Sequence, residues 1–123
     1  MKLNKKQLET KAKIEEFASL FGIPSDWATA IALSESSLGS VQESPTGCKG
    51  VFQMSTIAMK DLWLEMSKND EELIDIACGC AFLYLLLRRH KSIEEATLRY
   101  CDPNDRHFYL GRVLTYMEAL KNV

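Results

Sequence analysis

Leu73-Ile74-Asp75-Ile76-Ala77-Cys78-Gly79-Cys80-Ala81-Phe82-Leu83-Tyr84-Leu85-Leu86-Leu87 is the stretch that decides the fold of this chain. It is apolar nearly all round, too long for a strand, and marks a buried central helix rather than an amphipathic surface one. Asn69 with Glu72 forms a capping box at its start, and Arg88, Arg89, His90 and Lys91 suit the negative pole at its end. Everything else in the sequence can be arranged around this helix.

Downstream, Ser92 and Glu95 make a second capping box, and Asp102-Pro103 punctuates the chain before a last helix carrying Leu110, Val113, Leu114 and Met117. Upstream, Ile14, Phe17, Ala18 and Phe21 recur at helical spacing, and Gly22 and Pro24 close that helix. Ser25 is a suitable N-cap for the next helix, with Asp26 in its first turn. On this second helix Ala28, Ile31, Ala32 and Glu35 share one face, and Gly39 ends it. Ser55 or Thr56 can open a helix with Met59, Leu62, Trp63 and Met66 on one side. No segment alternates over strand length, and the only room for strands is a small hairpin between Gly39 and Phe52. The expectation is an all-α, or nearly all-α, compact domain with at most that hairpin.

The chain has 123 residues, enough for one domain over 1–123 with a single core and no metal or disulfide support. At 46% hydrophobic and 26% charged residues it has an ordinary globular composition, and a net charge of −2 gives no argument for nucleic acid or an anionic membrane as partner. No apolar run reaches the roughly 18 residues of a membrane span. The start, Met1-Lys2-Leu3-Asn4-Lys5-Lys6-Gln7, has no apolar stretch behind its basic residues and does not resemble a secretory signal. Cys48, Cys78, Cys80 and Cys101 form no paired knuckles and are not spaced with His90 or His107, so no metal site is expected and the thiols are read as core packing.

Glu35 is the residue with chemistry in it. An acid on an apolar helical face, opposite a polar loop, stays protonated near neutral pH and can donate to a glycosidic oxygen. Glu35-Ser36, followed by Ser44-Pro45-Thr46-Gly47-Cys48-Lys49-Gly50-Val51-Phe52-Gln53-Met54, resembles the signature of soluble lytic transglycosylases and the wider goose-type lysozyme-like superfamily. There the pattern reads Glu-Ser, a short gap, then Ser-Pro-x-Gly-Ala-x-Gly-Leu-Met-Gln, and the gaps from Glu35 to Ser44 and from Ser44 to Gln53 match. Asp75-Ile76-Ala77-Cys78-Gly79-Cys80-Ala81-Phe82-Leu83 resembles the family's Asn-Ile-x-x-Gly-x-x-Tyr-Leu helix, and Tyr100-Cys101-Asp102-Pro103 lies where the family has Tyr-Asn-x-Gly. The likeness runs from about Trp27 to about Tyr109.

The resemblance implies a lysozyme-like fold and cleavage of the β-1,4 bond between N-acetylmuramic acid and N-acetylglucosamine in peptidoglycan. It makes Glu35 the catalytic acid and gives substrate contacts to Ser44, Gly50, Phe52, Gln53 and Tyr100, the last close to the acid, with Gly47 a second loop glycine. Cys101 and Pro103 stand where the family has Asn and Gly, which alters that loop, and Phe52 replaces a Met. A conventional glycosidase needs a second carboxylate at a defined separation. Glu43, Asp102 and Asp105 are present, but none occupies a motif position assigned to one. The implied scheme uses Glu35 alone: it protonates the leaving oxygen, the N-acetyl group stabilises the cation, and Glu35 then takes the C6 hydroxyl proton to close a 1,6-anhydro ring.

No cofactor is implied. A hydrolytic muramidase using Glu43, or a non-catalytic wall-binding module of the same fold, are the alternatives. The partner expected is a glycan strand, met by a monomer that is made in the cytoplasm and acts on the wall after release or delivery, in a bacteriophage setting.

Overall fold

A computed structural model of the protein describes residues 1–38, 71–101 and 103–123. Five α-helices occur among these residues: α1 (Lys5–Phe21), α2 (Ser25–Ser36), α3 (Glu71–His90), α4 (Ile93–Tyr100) and α5 (Arg106–Leu120), with a 3₁₀ turn over Pro103–Asp105 before α5. The domain is all-α, and the described residues contain no strand. The expected hairpin between Gly39 and Phe52, the helix from Ser55 or Thr56, and the Asn69 end of the capping box all lie outside the described residues. No helix among the described residues is long and apolar enough to cross a membrane.

Local sequence sets the helix ends. Asn4 opens α1 with a reciprocal box: its Oδ1 accepts from Gln7 N at 2.8 Å, and Gln7 Oε1 accepts from Asn4 N at 3.0 Å. Gly22 closes it at φ 70, a left-handed backbone that glycine adopts without a Cβ clash, and the Gly22 and Ile23 amides return to Ser19 and Ala18. The N-cap of α2 is Pro24 rather than Ser25, and it has no side-chain cap bond; Asp26 Oδ1 instead accepts from Trp27 N at 2.8 Å. The helix stops at Ser36, before Gly39, because Ser37 and Leu38 both take positive φ (52 and 58) and turn the chain. Leu38 is fully buried, so its side chain is the anchor that holds this turn. Ser92 caps α4 by accepting from Glu95 N at 3.1 Å, the first half of the expected box.

α2 packs on α5 and on α1, α1 packs on α3, and α4 bridges α3 and α5. Trp27 through Leu33 are buried without interruption, so α2 is enclosed along its whole middle. α3 is enclosed from Ile74 to Cys80 and again at Leu83 and Leu86, but emerges at Leu85, which is 50% exposed. Tyr84 and Leu87 are half-buried and pack against the core. On α5 the buried face is Tyr109, Val113 and Leu120; Leu114, read as core from its spacing, is 40% exposed. The short apolar step from Val113 to Leu114 leaves two registers open to the sequence, and the aromatic at 109 selects the other one. Glu72 ties α1 to the start of α3, accepting from Thr10 Oγ1 at 3.2 Å and pairing with Lys6 at 3.3 Å and Lys13 at 3.7 Å.

Candidate active site

Glu35 stands in the last turn of α2, one turn beyond Ile31 and Ala32, which are fully buried. This helix lies against α5, so its apolar face carries the acid into the seam between the two. Ser36 Oγ, buried beside it, donates back to Ala32 O at 3.2 Å. The Glu35 side chain is half-buried, and this loss of water pushes its carboxyl up to about 7. The Arg112 guanidinium, and after it the Tyr109 hydroxyl, favour the carboxylate without overcoming the burial.

Both of those groups come from α5, three residues apart and therefore neighbours on one side of the helix. Tyr109 is buried, and its phenol is raised well above the ordinary range, first by burial and then by Glu35. The contact with Glu35 is loose: by strict hydrogen-bond geometry Tyr109 Oη has no partner. The hydroxyl is thus a neutral donor held in readiness near the acid, and an ionised Glu35 is the acceptor it lacks. The Arg112 guanidinium carbon lies 5.5 Å from the Tyr109 ring centroid and 5.8 Å from that of Phe108, a cation–π arrangement.

Tyr100, expected close to the acid, is in the last turn of α4 with its ring 5.6 Å from that of Phe82. It lies within electrostatic reach of Tyr109, as does Cys101, whose Sγ–H donates to Leu98 O at 3.9 Å. Asp105 is exposed as the N-cap of α5. Ser44, Gly47, Gly50, Phe52 and Gln53, with Glu43 and Asp102, lie outside the described residues. Among the described residues no three His, Cys, Asp or Glu side chains gather as metal ligands.

The sequence reading missed Tyr109 and Arg112. The signal for Tyr109 is its register: four residues before Val113, it falls on the apolar face, where a phenol needs a polar neighbour. Arg112 carries no comparable signal, because an arginine on a helix next to an apolar face is commonly solvated. Together the described groups can hold one proton near neutral pH, release it, and steady the carboxylate that remains. Compared with known proteins, the chain matches no protein-family model, no curated protein and no solved structure.

Proposed function

We propose that this protein is a peptidoglycan-cleaving enzyme of the lytic transglycosylase type, with Glu35 as its single general acid and base. The observation that carries this reading is the Glu35 carboxyl, half-buried where α2 packs on α5, which burial pushes up to about 7 so that both its acid and its base form are populated near neutral pH. An acid poised at the working pH both gives and recovers a proton with little driving-force penalty. In the first step Glu35 protonates the glycosidic oxygen as the bond after N-acetylmuramic acid breaks. The Tyr109 hydroxyl and the Arg112 charge then stabilise the carboxylate that is left. In the second step this carboxylate removes the C6 hydroxyl proton, the 1,6-anhydro ring closes, and the acid is regenerated. Ser44, Gly50, Phe52, Gln53 and Tyr100 are proposed to hold the sugar.

The test is incubation with purified peptidoglycan and mass analysis of the released muropeptides. Anhydro-ended products support the one-acid scheme. Reducing-ended products would assign the protein as a hydrolytic muramidase, with Glu43 the first residue to substitute. Binding without any cleavage would reduce the protein to a wall-binding module.

A further inference from the structure

The chain leaves α2 through Ser37 and Leu38, two consecutive residues in the left-handed region at φ 52 and 58. Neither is glycine, so each must be held there by its surroundings. From inside, Leu38 is fully buried, and the Ser37 and Leu38 amides return to Leu33 O at 3.1 Å and Ala32 O at 3.3 Å. From outside, Gln7 Nε2 on α1 donates to Ser37 O at 3.1 Å, a bond between residues 30 positions apart in sequence. Among the described residues it is the only hydrogen bond that reaches Ser37 or Leu38 from another element. The capping box of α1 orients this amide: Gln7 Oε1 accepts from Asn4 N at 3.0 Å, and Gln7 N donates to Asn4 Oδ1 at 2.8 Å. The box needs only an acceptor at this position, which glutamate supplies equally well and with a better charge for a helix start. What glutamine adds is the donor, and that donor is spent on Ser37.

We propose that Gln7 is a positioning residue for Glu35, an external brace on the Ser37–Leu38 turn that keeps the last turn of α2 closed. Helix ends open first, and Glu35 lies one residue before the end of α2 at Ser36. If Ser37 relaxes to a negative φ, its amide and that of Leu38 leave Leu33 and Ala32, and the turn bearing Glu35 loosens. The carboxyl then meets more water, which removes the burial that raises it. The groups that act on Glu35 directly, Arg112 and Tyr109, come from α5 and are untouched by a change at Gln7. The consequence for lysis rests on the reading of Glu35 as the acid; the consequence for its titration does not.

The experiment compares Gln7→Met with Asn4→Ala. The first keeps the length of the side chain and loses the amide without adding charge. The second weakens the same capping box and leaves the donor to Ser37 in place. In each, carbon-13 NMR follows the Glu35 carboxyl, and the rate of wall lysis is measured across pH. Gln7→Met should move the Glu35 midpoint down from about 7 toward 4.5. The expected shift is roughly 0.5 pH unit, the about threefold change in population that one modest hydrogen bond supports. The alkaline limb of the lysis profile should move down with it. Asn4→Ala should lower the melting temperature comparably and leave the midpoint where it is. A midpoint unmoved in Gln7→Met, or moved equally in both variants, would overturn the brace. So would an upward move, which is the sign of a lost cation and not of a loosened turn. If the wild-type protein does not lyse walls at all, the lytic reading falls and the NMR comparison still decides. A downward shift confined to Gln7→Met then supports the brace, and its absence overturns it.

Discussion

Trp27 Nε1 donates to Thr97 Oγ1 at 2.8 Å, joining α2 to α4 through two fully buried side chains. Thr97 passes its own proton to Ile93 O at 2.7 Å, so every polar atom in this link is satisfied. Thr97→Val keeps the shape and orphans the indole N–H. It should lower stability by about 1–3 kcal/mol, measurable by urea unfolding, with the Glu35 titration unmoved. An unchanged unfolding midpoint would mean that the indole finds another acceptor.

Glu35→Gln should abolish wall lysis, because an amide cannot donate the proton, and should also change stability in a pH-dependent way. The folded-state value of about 7 lies above the ordinary 4.5, so stability contributed by the protonated acid is complete below about 4.5 and is lost as pH rises through 7. The glutamine variant should match wild type at pH 4 and exceed it at pH 8. The gain should be on the order of 1–2 kcal/mol once partial solvent screening is allowed for. Melting curves at the two pH values check it, and equal differences at both would place the acid in water.

The pH–rate profile follows from the same acid. Lysis should fall on the alkaline side with an apparent midpoint near 7, where Glu35 loses the proton it must donate. Arg112→Gln removes a charge that favours the carboxylate, so Glu35 should titrate higher and the alkaline limb should move up. Carbon-13 NMR of the Glu35 carboxyl reads this directly, and a downward move would contradict the stated sign.

Tyr109→Phe should also raise the Glu35 midpoint, by less than the Arg112 change, since the arginine is the larger of the two opposing influences. Its rate penalty should be smaller than the roughly 10²–10⁴-fold typical of losing the general acid itself. If Tyr109→Phe proved as damaging as Glu35→Gln, the phenol would be carrying a proton rather than steadying a charge.

Leu83→Ala should cost about 2–5 kcal/mol and Leu85→Ala within about 0.5 kcal/mol, because the first is fully buried and the second half-exposed on the same helix. The pair shows how far the sequence could be read. Apolar character all round α3 announced burial but could not say that Leu85 faces water, since leucine is tolerated on surfaces. The α1 and α2 helices were legible from spacing and from Gly22. The stop at Ser37 was not, because serine and leucine rarely take the left-handed backbone; here the burial of Leu38 and the return bonds of the Ser37 and Leu38 amides to Leu33 and Ala32 compensate for it. Glu35 could be picked out because an acid on an apolar face is uncommon. Tyr109 and Arg112 reach it from a distant helix, and that pairing depends on how α2 packs against α5, which periodicity does not encode.

One thiol of α3 has a consequence for the redox chemistry of the core. Cys80 is buried, and desolvation pushes its thiol up to about 12, so almost no thiolate exists at any physiological pH. Cys78, two positions away on the same helix, is also buried and projects to a different side. Exchange and oxidation begin from thiolate, so the buried Cys80 sulfur is a poor partner for both. At Cys80 the centre of α3 is chemically the same in a reducing and in an oxidising setting. The packing of that helix around Cys80 therefore does not depend on the redox state of its surroundings.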